Sequence, residues 1–398
     1  MNELANVSFT VILFLRRAGC CARCCERNLF VWEGVLYRFK LIPLIVFYRS
    51  NIFFKKIFLL VSKRVFKKTI SGESAISKNN KIIKRSAEKL GISVRKLSHQ
   101  YFQLKYNDTI CYSNSSDFSF ENLMAYKMCG NKFLTSTILS ENDLPVPLFN
   151  AFSRGEYDKA QKFFLTQNSS MVVKPCNGTA GGKGISVGVS SSSGFAHAFA
   201  KALCYSDSVM VEKFASGQNY RFTVLNGRVM TVVKRLPAYV VGDGVNTIST
   251  LISSKNDALF DSTMETRLLK PITVDGDVKF FLKDQGLTLK SIPEEGKKVF
   301  LRKVSNADQG GEVLEVTGQC HSDYLEMAVQ AASLMNTALS GVDLIVEDIT
   351  APFEQGKTVI NEVNTTPALY IVREPGANGE IDTRVGEEIL NYAFDLTS

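Results

Sequence analysis

Histidine, long apolar runs and the familiar nucleotide-binding loops are scarce or absent in this sequence of 398 residues. Its three histidines fall outside the motif strings described below, so no histidine base is expected in the chemistry. No apolar run reaches the roughly 18 residues that a membrane-spanning helix needs. No Gly-Lys-Ser/Thr string opens a helix, and no G-x-G-x-x-G string stands between a strand and a helix. These absences argue against a membrane span, a P-loop and a Rossmann dinucleotide site in this sequence.

The composition is that of a globular protein, with 45% hydrophobic and 22% charged residues. The chain can bury one large core or two to three smaller ones, and general disorder is excluded. The net charge of +8 is localised, because residues 1–75 hold 13 Lys/Arg and 4 Glu while the remainder holds 34 basic and 35 acidic residues. The main body is therefore not expected to bind nucleic acid.

The basic segment, residues 1–75, is also rich in large apolar residues. Between residues 52 and 68 the lysines Lys56, Lys63 and Lys67 recur at helical spacing among Phe, Leu, Ile and Val. This pattern is typical of a basic amphipathic helix at a membrane surface or packed on a partner. The alternatives are a packed helix with solvated lysines and a stretch that does not fold well alone.

Four of the nine cysteines are clustered at Cys20, Cys21, Cys24 and Cys25. A structural zinc site needs a second ligand pair, and the next cysteine is Cys111. Acylation beside an apolar segment is an alternative, and free thiols are the default. Cysteines scattered without a disulfide framework indicate the cytoplasm, with peripheral membrane contact through the basic segment left open.

The domain organisation predicted from the sequence has four parts. The serine-containing stretch "TISGESAISKNN", residues 69–80, is the best linker candidate. Beyond it we expect a linking region with a helix before the Pro-bounded loop (81–150), an amino-terminal lobe (151–215) and a carboxy-terminal lobe (216–398). A homo-oligomer is left open.

A glycine-rich hairpin is the first candidate site. In "MVVKPCNGTAGGKGISVGV", residues 171–189, a strand carries Lys174 into a loop with several glycines, and a second strand follows. The loop can adopt positive φ and bring backbone N–H groups close to a ligand. A lysine beside such a loop suits a phosphate cradle.

An acidic cluster is the second candidate site. "VDLIVEDI" and "TVINEVNTTPAL" are predicted to form paired strands that bring together Asp343, Glu362 and Asn364. Glu362 and Asn364 are two residues apart, so both point to one face of a strand. Such oxygen ligands suit Mg²⁺ bound to nucleotide phosphates, with Mn²⁺ as an alternative. A solvated sheet edge would have the same acidic residues.

The order of these parts resembles the ATP-grasp superfamily, in particular the glutathione-ligase-like domain of cyanophycin synthetases and of the fused bifunctional glutathione synthetases. The resemblance covers roughly residues 85–395 and excludes the basic segment. It implies an α+β fold in which two α/β lobes hold ATP between antiparallel sheets. Seven strings in the same order carry it: "NKFLTSTILSENDLPVP", "VVKPCNGTAGGKGISVGV", "VEKFASGQNYRFTVLNGRV", "KRLPAYVVGDGVNTI", "LRKVSNADQGGEVLEVT", "GVDLIVEDI" and "INEVNTTPAL".

The resemblance implies roles for individual residues. Lys132 and Lys174 resemble the two lysines that bind the nucleotide phosphates. The glycine loop that follows Lys174 resembles the flap that closes over them. Residues 212–214 resemble the hinge between the lobes, whose backbone contacts the adenine edge. Asn219 stands where the family usually has an acidic residue for the ribose, so weaker nucleotide affinity is expected. The nucleotide-binding set is Lys132, Lys174, Gly178, Gly181, Gly182, Lys183, Gly184, Glu212, Lys213, Phe214 and Asn219. The residues near the transferred group are Lys234 or Arg235, Arg302 and Asn306, and the metal ligands are Asp343, Glu362 and Asn364.

The activity implied is that of an ATP-dependent carboxylate–amine ligase. A carboxylate would attack the γ-phosphoryl group of ATP, and an amine would displace phosphate from the acyl phosphate. The substrates expected are an amino acid or peptide carboxylate and an amine. A regulatory or membrane-associated protein that kept the nucleotide site without turnover is the alternative.

Overall fold

The computed structural model describes residues 75–177, 182–261, 271–303, 305, 309–371 and 382–396. The basic segment up to residue 74, with its four clustered cysteines, lies outside the described residues. So do three predicted site residues, Gly178, Gly181 and Asn306. Within the described ranges, none of the helices combines the length and apolar character needed to cross a bilayer.

The first folded unit is a four-stranded antiparallel sheet covered on one face by two helices. The sheet order is β1-β2-β3-β4. Val94, Leu104 and Cys111 pair across three strands and point to the covered face. Its elements are α1 (Ala75–Lys89), β1 (Ser93–Lys96), β2 (Phe102–Tyr106), β3 (Thr109–Asn114), β4 (Asp117–Phe118) and, from the end of the chain, α9 (Arg384–Phe394).

The start of α1 corrects the predicted linker. Residues 75–80 are helical, and Lys78 and Asn79 are buried. The Asn79 side chain donates to Oγ of Ser115 at 2.8 Å, which ties the helix to the β3–β4 turn. The serine-containing stretch therefore belongs to the fold from Ala75 onwards.

The predicted helix before the Pro-bounded loop is divided into α2 (Leu123–Cys129) and α3 (Lys132–Glu141). Gly130 caps the carboxyl end of α2, and the Asn131 side chain accepts a hydrogen bond from the backbone of Leu134. An asparagine at this position satisfies an amide that the first turn of a helix leaves open. The break makes Lys132 the first residue of a new helix.

The amino-terminal lobe is a four-stranded sheet in the order β5-β8-β6-β7 with two helices on one face. Val173 and Val211 point towards the helices and pack against Phe195 and Phe199. The opposite face carries Lys174 and Glu212 together with apolar residues such as Met210. The elements are β5 (Phe149–Ser153), α4 (Tyr157–Thr166), β6 (Met171–Pro175), β7 (Ser186–Val189), α5 (Ser192–Ala202) and β8 (Ser208–Lys213).

The carboxy-terminal lobe is a five-stranded sheet in the order β13-β10-β9-β14-β15. Tyr220, Phe222 and Leu344 pack on one face against α8. All described pairs of this sheet are antiparallel. The elements are β9 (Gln218–Leu225), β10 (Arg228–Leu236), β13 (Glu312–Glu315), α8 (Ser322–Leu334), β14 (Leu339–Val346) and β15 (Thr358–Asn364).

An insertion between β10 and β13 has a small core of its own. It contains β11 (Tyr239–Val241), α6 (Ile248–Asp261), α7 (Gly276–Asp284) and β12 (Lys298–Phe300), with β11 and β12 paired. Val240, Ile248, Val278 and Leu301 are among its buried residues. The predicted α+β class is confirmed, and the predicted carboxy-terminal lobe contains two separate cores.

Candidate nucleotide and ligase site

Lys174 lies on the face of the amino-terminal sheet that points away from α4 and α5. It alternates with Val173, which points into the core, so the two side chains leave β6 on opposite faces. Nζ of Lys174 lies 2.7 Å from Oε1 of Glu212 on β8, and both side chains are almost fully buried. The second oxygen of Glu212, Oε2, is buried without a hydrogen-bond partner among the described residues. This oxygen suits a ligand N–H group, because an unpaired buried acceptor is costly.

The glycine loop after Lys174 is described only in its second half. Gly182 and Gly184 have φ of +76° and +79°, a region that favours glycine. At Gly184 a Cβ would also lie 2.7 Å from Cγ of Pro175 and 2.8 Å from Cδ2 of Tyr205. Lys183 between them is exposed. The loop therefore needs glycine at 184 for both conformation and space.

The carboxy-terminal sheet presents a row of charged residues on the face opposite α8. Arg221 on β9 pairs with Asp343 on β14, and Asp343 pairs with Glu362 on β15. Residues directly opposite in adjacent strands point to the same face. The predicted strand pairing of Asp343 with Glu362 is thus observed.

Asp343 is held by two arginines. Nη2 of Arg221 donates to Oδ2 of Asp343 at 2.7 Å, and Nε of Arg221 donates to Oδ1. Nη1 of Arg235 donates to Oδ2 at 3.0 Å. Burial raises the pKa of Asp343, but the two guanidinium charges outweigh burial and hold the pKa below its usual range. The carboxylate is therefore ionised near neutral pH.

Sequence reasoning missed Arg221. The available signal was a single arginine in the apolar strand "QNYRFTVL", two residues after Asn219 and on the same face. Pairing of β9 with β14 places this arginine opposite Asp343, and the pairing is visible only in the fold.

Lys132 connects the two lobes at this point. Its Nζ lies 2.5 Å from Oε1 of Glu362, and its backbone N–H donates to the carbonyl of Cys176 at 2.8 Å, just after β6. Burial raises the pKa of Glu362, but the charges of Lys132 and Lys174 outweigh burial and lower the pKa overall. Lys132, Lys174 and Glu362 therefore act within one electrostatic site.

The alternatives Lys234 and Arg235 lie on opposite faces of β10. Arg235 pairs with Asn219 and shares the face of Asp343. Lys234 pairs with Tyr220, which packs in the core beneath α8. The structure brings Arg235 to the carboxylates and does not bring Lys234 there.

Arg302 is held inside the insertion. Its Nη2 donates to Oδ2 of Asp275 and to the carbonyl of Thr273, both at 2.9 Å. Its Nε is buried with no hydrogen-bond partner among the described residues. The described contacts do not join Arg302 to Asp343 or Glu362.

Lys303, which the sequence did not single out, reaches the amino-terminal lobe. Its Nζ lies 5.7 Å from the ring centroid of Phe214. A Cβ at Gly188 would lie only 2.3 Å from the same Nζ. The Lys303 ammonium therefore lies close to both β7 and the ring of Phe214.

The predicted hinge has its amides engaged within the lobe. The N–H of Lys213 donates to the carbonyl of Leu148 at 2.8 Å, and the N–H of Phe214 donates to the carbonyl of Ser170 at 2.9 Å. These two amides are therefore not free to read an adenine edge.

The predicted metal ligands share one face and offer oxygen atoms. Nδ2 of Asn364 is 3.5 Å from the carbonyl of Gly341, which leaves the amide oxygen for other contacts. No group of three or more His, Cys, Asp and Glu side chains in the described part of the chain is placed to hold a metal ion. The predicted set contains only two such residues, Asp343 and Glu362, together with Asn364. Two carboxylates and an amide fit Mg²⁺ by ligand type.

Sequence comparison identifies relatives that are longer than this chain. No protein-family model matches it. The glutathione biosynthesis bifunctional protein GshAB of Clostridium perfringens is 35% identical over 269 residues, which are 67% of this chain and 34% of that protein. The protein of the same name from Listeria monocytogenes is 31% identical over 332 residues, or 81% of this chain and 42% of that protein. The chain thus spans about a third to two-fifths of the length of these curated relatives.

The fold has a counterpart among solved structures. The crystal structure of a bifunctional glutathione synthetase from Pasteurella multocida matches with a TM-score of 0.57 at 28% identity, over 80% of this chain and 43% of that one. The sequence similarity and the shared fold together show an ATP-grasp fold close to that of the bifunctional glutathione synthetases.

Proposed function

We propose that this chain is an ATP-dependent carboxylate–amine ligase that forms ADP, phosphate and an amide or peptide bond. The observation that carries the proposal is the position of Lys132. Its ammonium pairs with Glu362, and its backbone is bonded to the segment after Lys174. The ammonium of Lys132 thus brings positive charge to a carboxylate of the carboxy-terminal lobe, beside the segment that follows Lys174, as transfer between two anions requires.

The reaction begins with attack of a substrate carboxylate on the γ-phosphorus of ATP. The new O–P bond forms as the bond to the β-phosphate oxygen breaks, and ADP leaves. The amine nitrogen then attacks the acyl carbon, phosphate leaves, and the nitrogen loses a proton. Lys132, Lys174 and Arg235 supply the positive charge that these anionic partners need.

A divalent cation supports the same chemistry. When bound by Asp343, Glu362 and Asn364, Mg²⁺ or Mn²⁺ supplies further positive charge at the nucleotide phosphates. Arg221 and Arg235 keep Asp343 ionised, and Lys132 and Lys174 do the same for Glu362. The glycine loop excludes water, which would hydrolyse an activated acyl group.

The substrates proposed are an amino acid or short peptide with a free carboxylate and an amino acid with a free amine. The relatives described above are glutathione biosynthesis proteins, which makes these classes the first to test. We propose a cytoplasmic location for the reaction.

The test is an ATP-dependent phosphate-release screen against amino acids and short peptides, followed by mass spectrometry of the product. Glu362→Gln is expected to abolish release, whereas Glu141→Gln, at the exposed end of α3, is the matched control and should leave it unchanged. If Glu362→Gln released phosphate at the wild-type rate, this site would not be the site of the reaction. ATP binding without release for any substrate pair would identify a nucleotide-binding regulator instead.

A further inference from the structure

Positive charge continues from the basic segment into the first folded unit. Residues 1–112 contain 21 Lys/Arg and 6 Asp/Glu, a net charge of +15. Residues 113–398 contain 26 Lys/Arg and 33 Asp/Glu, which give a net charge of −7. The chain is therefore strongly polarised along its length: residues 1–75 carry +9 of this charge, and residues 76–112, which include β1 and β2, carry the other +6.

One face of that unit is both basic and apolar. On the face opposite α1 and α9, Arg95 pairs with Gln103 and Gln103 with Tyr112, while Lys105 pairs with Ile110. Tyr101 accepts a hydrogen bond from the backbone of Leu97 beside this row. We call this surface the outer face; it consists of Arg95, Leu97, Tyr101, Lys105, Ile110 and Tyr112.

The large side chains of the outer face are exposed. Leu97, Tyr101, Ile110 and Tyr112 keep between 45% and 55% of their surface accessible to solvent. Single exposed apolar residues are ordinary. Four on the solvated face of one antiparallel sheet are not, because that face is usually polar.

We propose that the outer face docks on an anionic lipid surface. Arg95 and Lys105 supply charge of the required sign, and tyrosines prefer the interface between water and acyl chains. The aliphatic Leu97 and Ile110 favour lipid over single-stranded nucleic acid, whose bases stack on aromatic rings.

The sequence of the basic segment supplies a second signal for membrane attachment. Residues 41–68 combine apolar runs with Lys and Arg, and the chain passes from this segment into α1 at Ala75. Stable membrane attachment generally needs two signals acting together. The outer face and the basic segment are two such signals at one end of the chain, whereas the candidate ligase site lies in the lobes that follow.

The test uses the full chain and measures its partition onto vesicles of phosphatidylserine with phosphatidylcholine, compared with phosphatidylcholine alone. Partition is expected only onto the anionic vesicles and should weaken with salt. The double variant Arg95→Gln/Lys105→Gln should lower the partition coefficient roughly thirtyfold. Tyr101→Ser/Tyr112→Ser should also lower it, because the rings no longer enter the interface.

Matched controls come from α7 in the insertion. Lys279 and Phe280 are exposed there, Phe280 by 73%. The variants Lys279→Gln and Phe280→Ser should partition like wild type. Circular dichroism and phosphate release should be unchanged in every variant, since none of these residues lies in the site described above.

Two results would overturn the proposal. The first is absence of partition onto anionic vesicles, and the second is wild-type partition by both outer-face double variants. If the second result came with loss of oligonucleotide binding or of self-association in those variants, the face would be assigned to nucleic acid or to a second copy. The partition assay contains no ATP, so its failure leaves the proposed ligase reaction untouched.

Discussion

The side chain of Arg221 lies across the backbone of Gly341. A Cβ at position 341 would be 2.8 Å from Cδ of Arg221 and 3.1 Å from its Nε. Gly341 is two residues before Asp343 on the same face of β14, so the guanidinium passes over the glycine to reach the carboxylate. The glycine is needed here for space, since its φ lies outside the left-handed region.

Gly341→Ala is therefore expected to displace Arg221 from Asp343. Crowding of this kind in a packed interior costs about 1–3 kcal/mol, and phosphate release should fall with it. Gly318→Ala is the matched control, because a Cβ there meets no atom within 4 Å. Urea unfolding of both variants measures the difference. Equal stability of the two variants would show that Arg221 adjusts freely.

The buried pair of Lys174 and Glu212 should be strongly coupled. Either Lys174→Met or Glu212→Gln leaves a buried partner without its counterpart, at a cost of about 3–5 kcal/mol. The double variant should lose clearly less than the sum while remaining inactive. The exposed pair of Lys159 and Glu156 gives the matched cycle, where only weak coupling is expected because solvent screens the two charges. Additive losses at the buried pair would contradict this account.

The sequence alone predicts which side chains of the site share a face of one strand, because side chains alternate between the two faces. Spacing by two put Glu362 and Asn364 on one face of β15, and Lys174 before the glycine loop marked the face of β6 that points away from the helices. The pairing of β9 with β14 could not be obtained this way, because strand neighbours depend on packing of the whole lobe. Arg221 was missed for that reason, and Lys303 was missed because its proximity to Gly188 and Phe214 depends on packing between parts distant in the sequence.

The boundary between α2 and α3 illustrates a second limit. A continuous helical pattern runs through "ENLMAYKMCGNKFLTSTIL", and the pattern alone does not show whether Gly130 is tolerated or ends the helix. In the structure the helix ends at Gly130, and the Asn131 side chain caps the start of a new helix. This cap also sets the direction of Lys132, whose role had been assigned only from resemblance.

Opposite faces of β10 predict opposite outcomes for two adjacent basic residues. Arg235→Ala should greatly reduce phosphate release, because Arg235 contacts Asp343 at 3.0 Å. Lys234→Ala should have little effect, since Lys234 lies on the face of Tyr220. Steady-state rates at saturating ATP compare the two variants directly. A larger loss for Lys234→Ala than for Arg235→Ala would show that the register of β10 is wrong.

The ion pair of Glu362 with Lys132 should make stability depend on acid pH. An unfolded glutamate titrates near pKa ~4.3, and in the folded chain the pKa of Glu362 is lower: burial raises it, but Lys132 and Lys174 more than compensate. A lowered folded pKa contributes stability that is present above the unfolded pKa and is lost as pH falls through the folded pKa. The advantage of wild type over Glu362→Gln in free energy of unfolding should therefore shrink on acidification.

Urea unfolding of both proteins from neutral to acid pH measures that advantage. Asp343 also faces Glu362, and its own lowered pKa acts in the same direction in both proteins, so most of its contribution cancels in the difference. Glu141→Gln serves again as the exposed control, and its difference from wild type should stay small throughout. A difference between wild type and Glu362→Gln that is independent of pH would mean that Lys132 does not hold Glu362 in its ionised form, and the electrostatic link between the two lobes would be lost with it.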